Sequence, residues 1–395
     1  MQKRKNKSLL DKILFTLFVI FILRAGNFIP VPYVEQNYLI NIINANSLLK
    51  TFFNNKNIVL NIFSIGIAPS INASILMQFL TSSFSYFKKL QKEEGESGRQ
   101  QIKQYTRSIS LIFAIFQSIA LTFTLKSIMF VWDFQTITEI VLILTTGSMI
   151  VLWLTDLVTE YGVGNGSSLI ITINIISALP NTFNKFLNLE LNIKTILYGS
   201  IFSILVVGII YLQEAVKKIP LVTVTQLYKQ KKERTNQVRK ISYLPLKITQ
   251  GVMPIIFSST ILAFITILLN FINVSSINIE FSNSNLLKVL YTLINFVFIV
   301  FFSKFYSNLT LNSKEIAKDL NKMGVVIEAI RPGKKTRIYL KKMLNRLSLI
   351  GGIFLAALVT IPTIFNLSGF SITSLIIFVG VSTEVSRQIQ ILSRQ

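Results

Sequence analysis

The tightest constraint on this chain is a repeated one, about ten mostly apolar runs of roughly twenty residues each. They lie near Ile13–Ile29, Pro69–Phe87, Ser108–Phe130, Glu139–Val158, Ser168–Phe183, Ile196–Leu212, Val252–Ile272, Leu286–Phe305, Leu347–Phe365 and Ile372–Gln388. Hydrocarbon offers a backbone amide no partner, so runs of that length read as membrane-crossing helices that satisfy their own hydrogen bonds. The second, fifth and tenth runs carry Asn72, Gln78, Asn174 and Glu384, polar side chains that belong against protein or water rather than lipid. Only 14% of the 395 residues are charged, where a soluble domain carries about a quarter. The expectation is an all-α polytopic membrane protein with ten transmembrane helices.

Charge fixes the orientation. Forty Lys and Arg against 17 Asp and Glu leave a net +23. Sorted by the loops between runs, 33 of the basic residues fall on one side: five before the first run, six between the second and third, nine between the sixth and seventh, eleven between the eighth and ninth, and two after the tenth. The other side holds seven: Arg24, Lys50, Lys56, Lys126, Lys185, Lys194 and Lys288. Positive loops stay on the cytoplasmic or stromal side, which puts both termini there and requires an even number of spans. The basic start and the apolar run behind it lack a small-residue cleavage site, so they read as a retained first helix.

With no Cys and no His, the chain has no thiolate nucleophile, disulfide, imidazole base or usual zinc ligand. No enzyme activity, metal or cofactor is expected. Gly162-Val163-Gly164-Asn165-Gly166 lacks the spacing of a dinucleotide loop. Pro332-Gly333-Lys334-Lys335-Thr336 has Glu328 where a phosphate loop needs its first glycine. Any energy the chain's work needs must therefore come from outside it. The ionisable residues nearest the membrane, Arg24, Asp156, Glu160 and Glu384, fall near the ends of runs.

Within Ile58–Leu80, Gly66 and Pro69 divide an apolar run into a short segment and a longer helix. Non-helical backbone at membrane depth is tolerated only inside protein or beside a cavity, so the break marks either a functional centre or a Pro-kinked packing helix. Ile71, Ile75 and Phe79 recur at four-residue spacing, as do Ile171 and Ile175 beside Asn174. Such faces either pack helix on helix or line a deformable passage that closes by dewetting. Two basic loops stand out. Gln213–Ile248 holds Lys229, Lys231, Lys232, Arg234, Arg239 and Lys240, and Ser307–Arg346 holds the turn Arg331-Pro332-Gly333 followed by Lys334, Lys335 and Arg337. Both suit membrane-surface anchoring or docking onto a large anionic partner, and their length favours docking.

Seven stretches in order resemble the motifs of one family. They are Arg24-Ala25-Gly26-Asn27-Phe28-Ile29-Pro30-Val31-Pro32, Phe63 to Ile75, Glu94 to Arg99 with Gln104-Tyr105-Thr106-Arg107, Thr159 to Leu169, Tyr243-Leu244-Pro245-Leu246-Lys247, Gly251 to Phe257, and Arg331-Pro332-Gly333. On these residues the chain resembles the SecY family, the central subunit of the Sec protein-translocation channel, from the first helix to the tenth. It departs from the family pattern before the seventh helix, where Ile248-Thr249-Gln250-Gly251 is shorter and Thr249 replaces the usual Asn.

The resemblance implies two inverted five-helix halves, 1–190 and 191–395, around a central pore for unfolded polypeptides. It implies a pore constriction of Ile71, Ile75, Ile171, Ile175, Met253 and Ile377, and a plug about 55–66 that includes Asn61, Phe63, Ser64 and Gly66. A lateral gate between the second and seventh helices would use Asn72, Gln78, Pro254 and Phe257, releasing apolar segments into the lipid bilayer. The loops about 213–248 and 307–346 would dock a ribosome or the SecA motor through Lys231, Lys232, Arg234, Arg331, Lys334, Lys335 and Arg337. A SecE-like subunit and SecG would complete the assembly. The wording of the seventh helix and the abundance of Phe, Ile, Asn and Lys point to a plastid thylakoid membrane with stromal termini, a bacterial plasma membrane being the alternative. Two other functions compete: a secondary transporter with inverted repeats, which needs an intramembrane ionisable coupling site, and a ribosome-binding scaffold that conducts nothing.

Overall fold

The computed structural model describes residues 9–34, 60–92, 94–126, 129–187, 203, 206–223, 242–248, 253–271, 285–327, 330–364 and 372–393. In chain order the elements are α1 (Leu9–Gly26), α2 (Ala68–Ser83), α3 (Ser85–Lys92), α4 (Gly95–Thr124), α5 (Phe134–Tyr161), α6 (Gly166–Leu187), β1 (Val216–Thr223), β2 (Ser242–Lys247), α7 (Met253–Phe271), α8 (Asn285–Thr310), α9 (Ser313–Lys322), β3 (Val325–Ile327), α10 (Lys334–Ile364) and α11 (Ile372–Ser393). A further helical stretch covers 206–214. Among the described residues, Gly95–Phe123, Phe134–Tyr161, Thr292–Lys322 and Lys334–Thr360 are long and apolar enough to cross a membrane. Gly166–Ser177 and Met253–Leu262 are apolar but shorter. The remaining expected spans are less apolar within the described residues or run beyond them.

The chain divides into two compact units. One holds Met1–Leu191, Thr260–Lys288 and Ile377–Gln395, the other Asn192–Ser259 and Val289–Ile376. In the first unit two apolar clusters form the core. Val19, Leu23, Ile67, Val151, Leu154, Val158 and Ile170 draw α1, α5 and α6 together. Val31, Val34, Leu60, Ile65, Leu121, Leu125, Ile140 and Leu144 close the C-terminal end of α4 and the N-terminal part of α5 over the irregular chain. The α4–α5 seam is lined with buried hydroxyls: Ser118 and Thr145 share a 3.2 Å hydrogen bond, and Thr122 returns its proton to the Ser118 carbonyl at 2.8 Å. Small hydroxyl residues let two helices approach where lipid supplies no hydrophobic drive between them. A reciprocal box between Asp133 and Thr136 starts α5.

The second unit contains an element that the helical reading of the sequence lacked. The two basic loops fold together into an antiparallel sheet of order β2-β1-β3, paired from Val216↔Lys247 to Leu221↔Ser242 and from Leu221↔Ile327 to Thr223↔Val325. Period-two alternation explains it. Ile219, Leu221, Leu246 and Ile327 point inward onto Ala317, Leu320, Leu340 and Leu344 of α9 and α10. Lys218, Pro220, Tyr243, Pro245 and Lys247 stay exposed. Asn312 caps α9 by accepting from the Lys314 amide at 3.2 Å, while its own amide donates to Glu315 at 2.8 Å. α8 and α10 meet at small residues, with Ser303 donating to the Ser348 carbonyl at 3.0 Å beside Gly352.

Candidate functional site

The broken stretch before α2 is a built structure. Asn61 bridges Pro30, the Val31 amide donates to Leu60 at 2.8 Å, and the Ile62 amide donates to Ile29 at 3.2 Å. The Asn61 side chain donates to the Asn27 carbonyl at 3.1 Å, and Ser64 donates to the Asn61 carbonyl at 2.7 Å. These bonds satisfy backbone that no helix serves, as its position among membrane helices requires. Two glycines make room for it: a Cβ on Gly26 would lie 1.9 Å from the Phe63 ring, and one on Gly147 would lie 2.1 Å from the Ile62 carbonyl oxygen. Gly66 takes φ +58°, a left-handed conformation suited to glycine, just before Pro69 opens α2. Asn61, Phe63, Ser64 and Gly66 are thus clasped to the end of α1, while 55–59 of the expected plug lie outside the described residues.

Among the expected constriction residues, Ile71 on α2 and Ile171 on α6 pack against the same α1–α5–α6 cluster. Ile75 and Ile175 are half-buried one turn further along these helices, and Asn72 and Gln78 are half-buried on α2. α6 and α11 enclose an open groove of about 430 Å³ lined by Leu169, Thr172, Ile176, Phe378, Val381 and Ser382 among others. Ile377, half-buried, precedes that lining by one residue. Arg24, in the last turn of α1, donates from Nη2 to the Ile173 carbonyl at 2.6 Å and to the Ser177 hydroxyl.

Within the second unit Met253 is half-buried at the start of α7, and Pro254 is buried. Phe257 is buried edge-to-face against Phe302 and Tyr306, with ring centroids 6.3 and 5.4 Å away. Arg331, Lys334, Lys335 and Arg337 are all exposed at the turn that starts α10. Gly333 takes φ +102° there, and Thr336 holds the turn by donating to the Arg331 carbonyl at 2.9 Å, leaving the Arg331 guanidinium outward. Lys231, Lys232 and Arg234 lie outside the described residues.

The remaining sequence candidates resolve into architecture. Asp156 pairs with Lys103 at 3.2 Å and accepts two hydrogen bonds from Arg107, tying α5 to α4. The glycine-rich Gly162–Gly166 segment is a helix-to-helix turn: Asn165 accepts from the Ser167 amide, the Gly166 amide donates to Thr159 at 3.0 Å, and a Cβ on Gly166 would strike the Thr155 carbonyl at 2.1 Å. Sequence reasoning missed the clasp, the Arg24 tether and the sheet. The sheet alone had a readable signal, the alternation in Lys218-Ile219-Pro220-Leu221 and Tyr243-Leu244-Pro245-Leu246. The clasp joins segments too distant in sequence to be paired by pattern.

Comparison with known proteins follows this geometry. The family model for SecY matches residues 61–386. The chain is 42% identical to the protein translocase subunit SecY of Guillardia theta, over 98% of this chain and 95% of that one. It is 40% identical to that of Porphyra purpurea (98% and 96%) and 37% identical to that of Synechocystis (99% and 93%). Among solved structures, a protein-conducting channel superposes with a TM-score of 0.68 at 17% identity, over 99% of this chain and 93% of the other. Sec61 from a canine ribosome–channel complex superposes with a TM-score of 0.63 at 15% identity, over 99% and 93%.

Proposed function

The chain belongs to the SecY family, and from that premise we propose how its parts divide the work of the channel-forming subunit of the Sec preprotein translocase. It is a membrane channel for unfolded polypeptides, not an enzyme. An unfolded chain cannot cross hydrocarbon with bare amides, each costing several kcal/mol, so it needs a wet path. A segment of about 20 apolar residues gains by leaving that path for lipid.

The observation that carries the assignment is the clasped break at Gly66–Pro69 feeding α2, whose half-buried Ile71 and Ile75 match in kind Ile171 and Ile175 of α6. These residues, with Met253 and Ile377, form the constriction between halves 1–190 and 191–395. Apolar segments leave between α2 and α7, past Asn72, Gln78, Pro254 and Phe257. The α10 turn presents Arg331, Lys334, Lys335 and Arg337 to a ribosome or SecA, and Lys231, Lys232 and Arg234 of the loop 213–248 bind the same partner. A SecE-like subunit and SecG complete the complex, which sits in the thylakoid membrane with stromal termini.

Ile75→Gly combined with Ile175→Gly tests this. The reconstituted complex should leak small ions, and an arrested precursor should crosslink from probes at Ile71 and Ile75. A tight double variant and precursors that never reach those positions would overturn the assignment.

A further inference from the structure

Arg24 stands in the last turn of α1, half-buried, and reaches inward from there. Gly147 is the midpoint of the 28-residue α5, and the Ile62 carbonyl lies against it. The next residue, Phe63, lies against Gly26, two residues beyond Arg24. The Arg24 side chain meets α6 at Ile173 and Ser177, so a full cation sits at mid-depth in the first unit. Its hydrogen-bond partners among the described residues are both neutral, and both are reached from one nitrogen, Nη2. A guanidinium has five N–H donors. Among the described residues nothing else accepts from the others, and a charge at such depth faces protein or a water-filled cavity and not lipid, so they are open to water or a polar visitor there. α1 meanwhile turns Leu14, Phe18 and Phe21 outward, 55% or more exposed, and Arg24 reaches sideways to the carbonyl between Ile171 and Ile175.

We infer that Arg24 is the fixed cation of the passage, a specificity residue that slows positively charged stretches of the crossing polypeptide and favours acidic ones. The inference rests on the reading of α6 as a passage wall. A half-buried cation at this position is otherwise a cost without a return, since a neutral side chain could tether α1 to the same carbonyl.

The chain has no cysteine, so Arg24→Cys places a single thiol in this subunit, read against the parent complex, which lacks it. Precursors differing only in a block of Lys or a block of Asp are driven across membranes holding the complex. The Lys block should cross more slowly by about fivefold, the effect of one unit charge met at roughly 4 Å in water. Arg24→Gln and Arg24→Cys should abolish that ratio, and Arg24→Lys should keep it. A cationic methanethiosulfonate on Arg24→Cys should restore the ratio and an anionic one should invert it, which decides the matter even where Arg24→Gln fails to assemble. An unchanged ratio in Arg24→Gln overturns the inference. So does an Arg24→Cys thiol that resists both reagents while Ile175→Cys reacts during translocation. If Ile175→Cys is also inert, the passage-wall reading itself falls and the charge assignment with it.

Discussion

Single residues show how little slack the clasp has. Gly147→Ala sets a methyl group 2.1 Å from the Ile62 carbonyl, backbone that cannot step aside, and should cost about 1–3 kcal/mol by overpacking. Gly26→Ala meets the Phe63 ring instead, so Phe63→Ala in the same chain should recover part of its loss. Gly208 meets nothing within 4 Å, and Gly208→Ala should gain about 0.5–1 kcal/mol from helix propensity. Thermal unfolding in detergent ranks the variants, and equal losses at Gly147 and Gly208 would refute the packing. Tyr33, at φ +65°, donates its phenol to Glu139, whose hydrogen bond and negative charge hold the phenol above its ordinary value of 10. Because the folded value is raised, the contact is fully present below pH 10 and is lost as pH climbs through the raised value. Glu139→Gln should return the Tyr33 titration toward 10, read by phenolate absorbance against Tyr33→Phe.

Among the elements, α9 tests whether the sheet and its helix form one cooperative body. Its start depends on Asn312, which serves both the Lys314 amide and the Glu315 carboxylate. Asn312→Ala should cost about 1 kcal/mol. Because Ala317 and Leu320 share a core with Ile219, Leu221 and Leu246, amide exchange should quicken in β1 and β2 as well as in α9. Faster exchange confined to α9 would show that the sheet stands without it. The N-terminal turns of α10 belong to this same core through Leu340 and Leu344, so one 31-residue helix carries the basic turn and a membrane-crossing stretch.

For the whole molecule, the proposed docking through the basic loops would be an electrostatic event, given the net charge of +23. Arg331 gives its carbonyl to Thr336 and leaves its guanidinium exposed, so Arg331→Glu should preserve the fold while weakening partner binding. The loss should be greatest at low salt and should shrink as ionic strength shortens the screening length to about 8 Å. Co-sedimentation with ribosomes or SecA across a salt series reads this directly, and a variant that binds as tightly as the parent would remove Arg331 from the docking surface.

Membrane class was legible in the chain because it depends on a local sum, the apolarity of twenty-residue runs, which the helices then display. The helices follow suit, α5 extending its apolar run at both ends and α10 at its start because polar residues continue a helix that apolar content alone does not mark. The Arg331-Pro332-Gly333 turn was equally legible, since glycine and proline restrict their own dihedrals. What pattern could not supply were the pairings between distant segments. Val31 finds Leu60, Arg24 finds Ile173, and Lys218 lies beside Pro245 only once the chain is folded. Hydrogen bonds and packing across long sequence separations depend on where helices stop and how closely glycines let them approach. Those distances exist only in three dimensions.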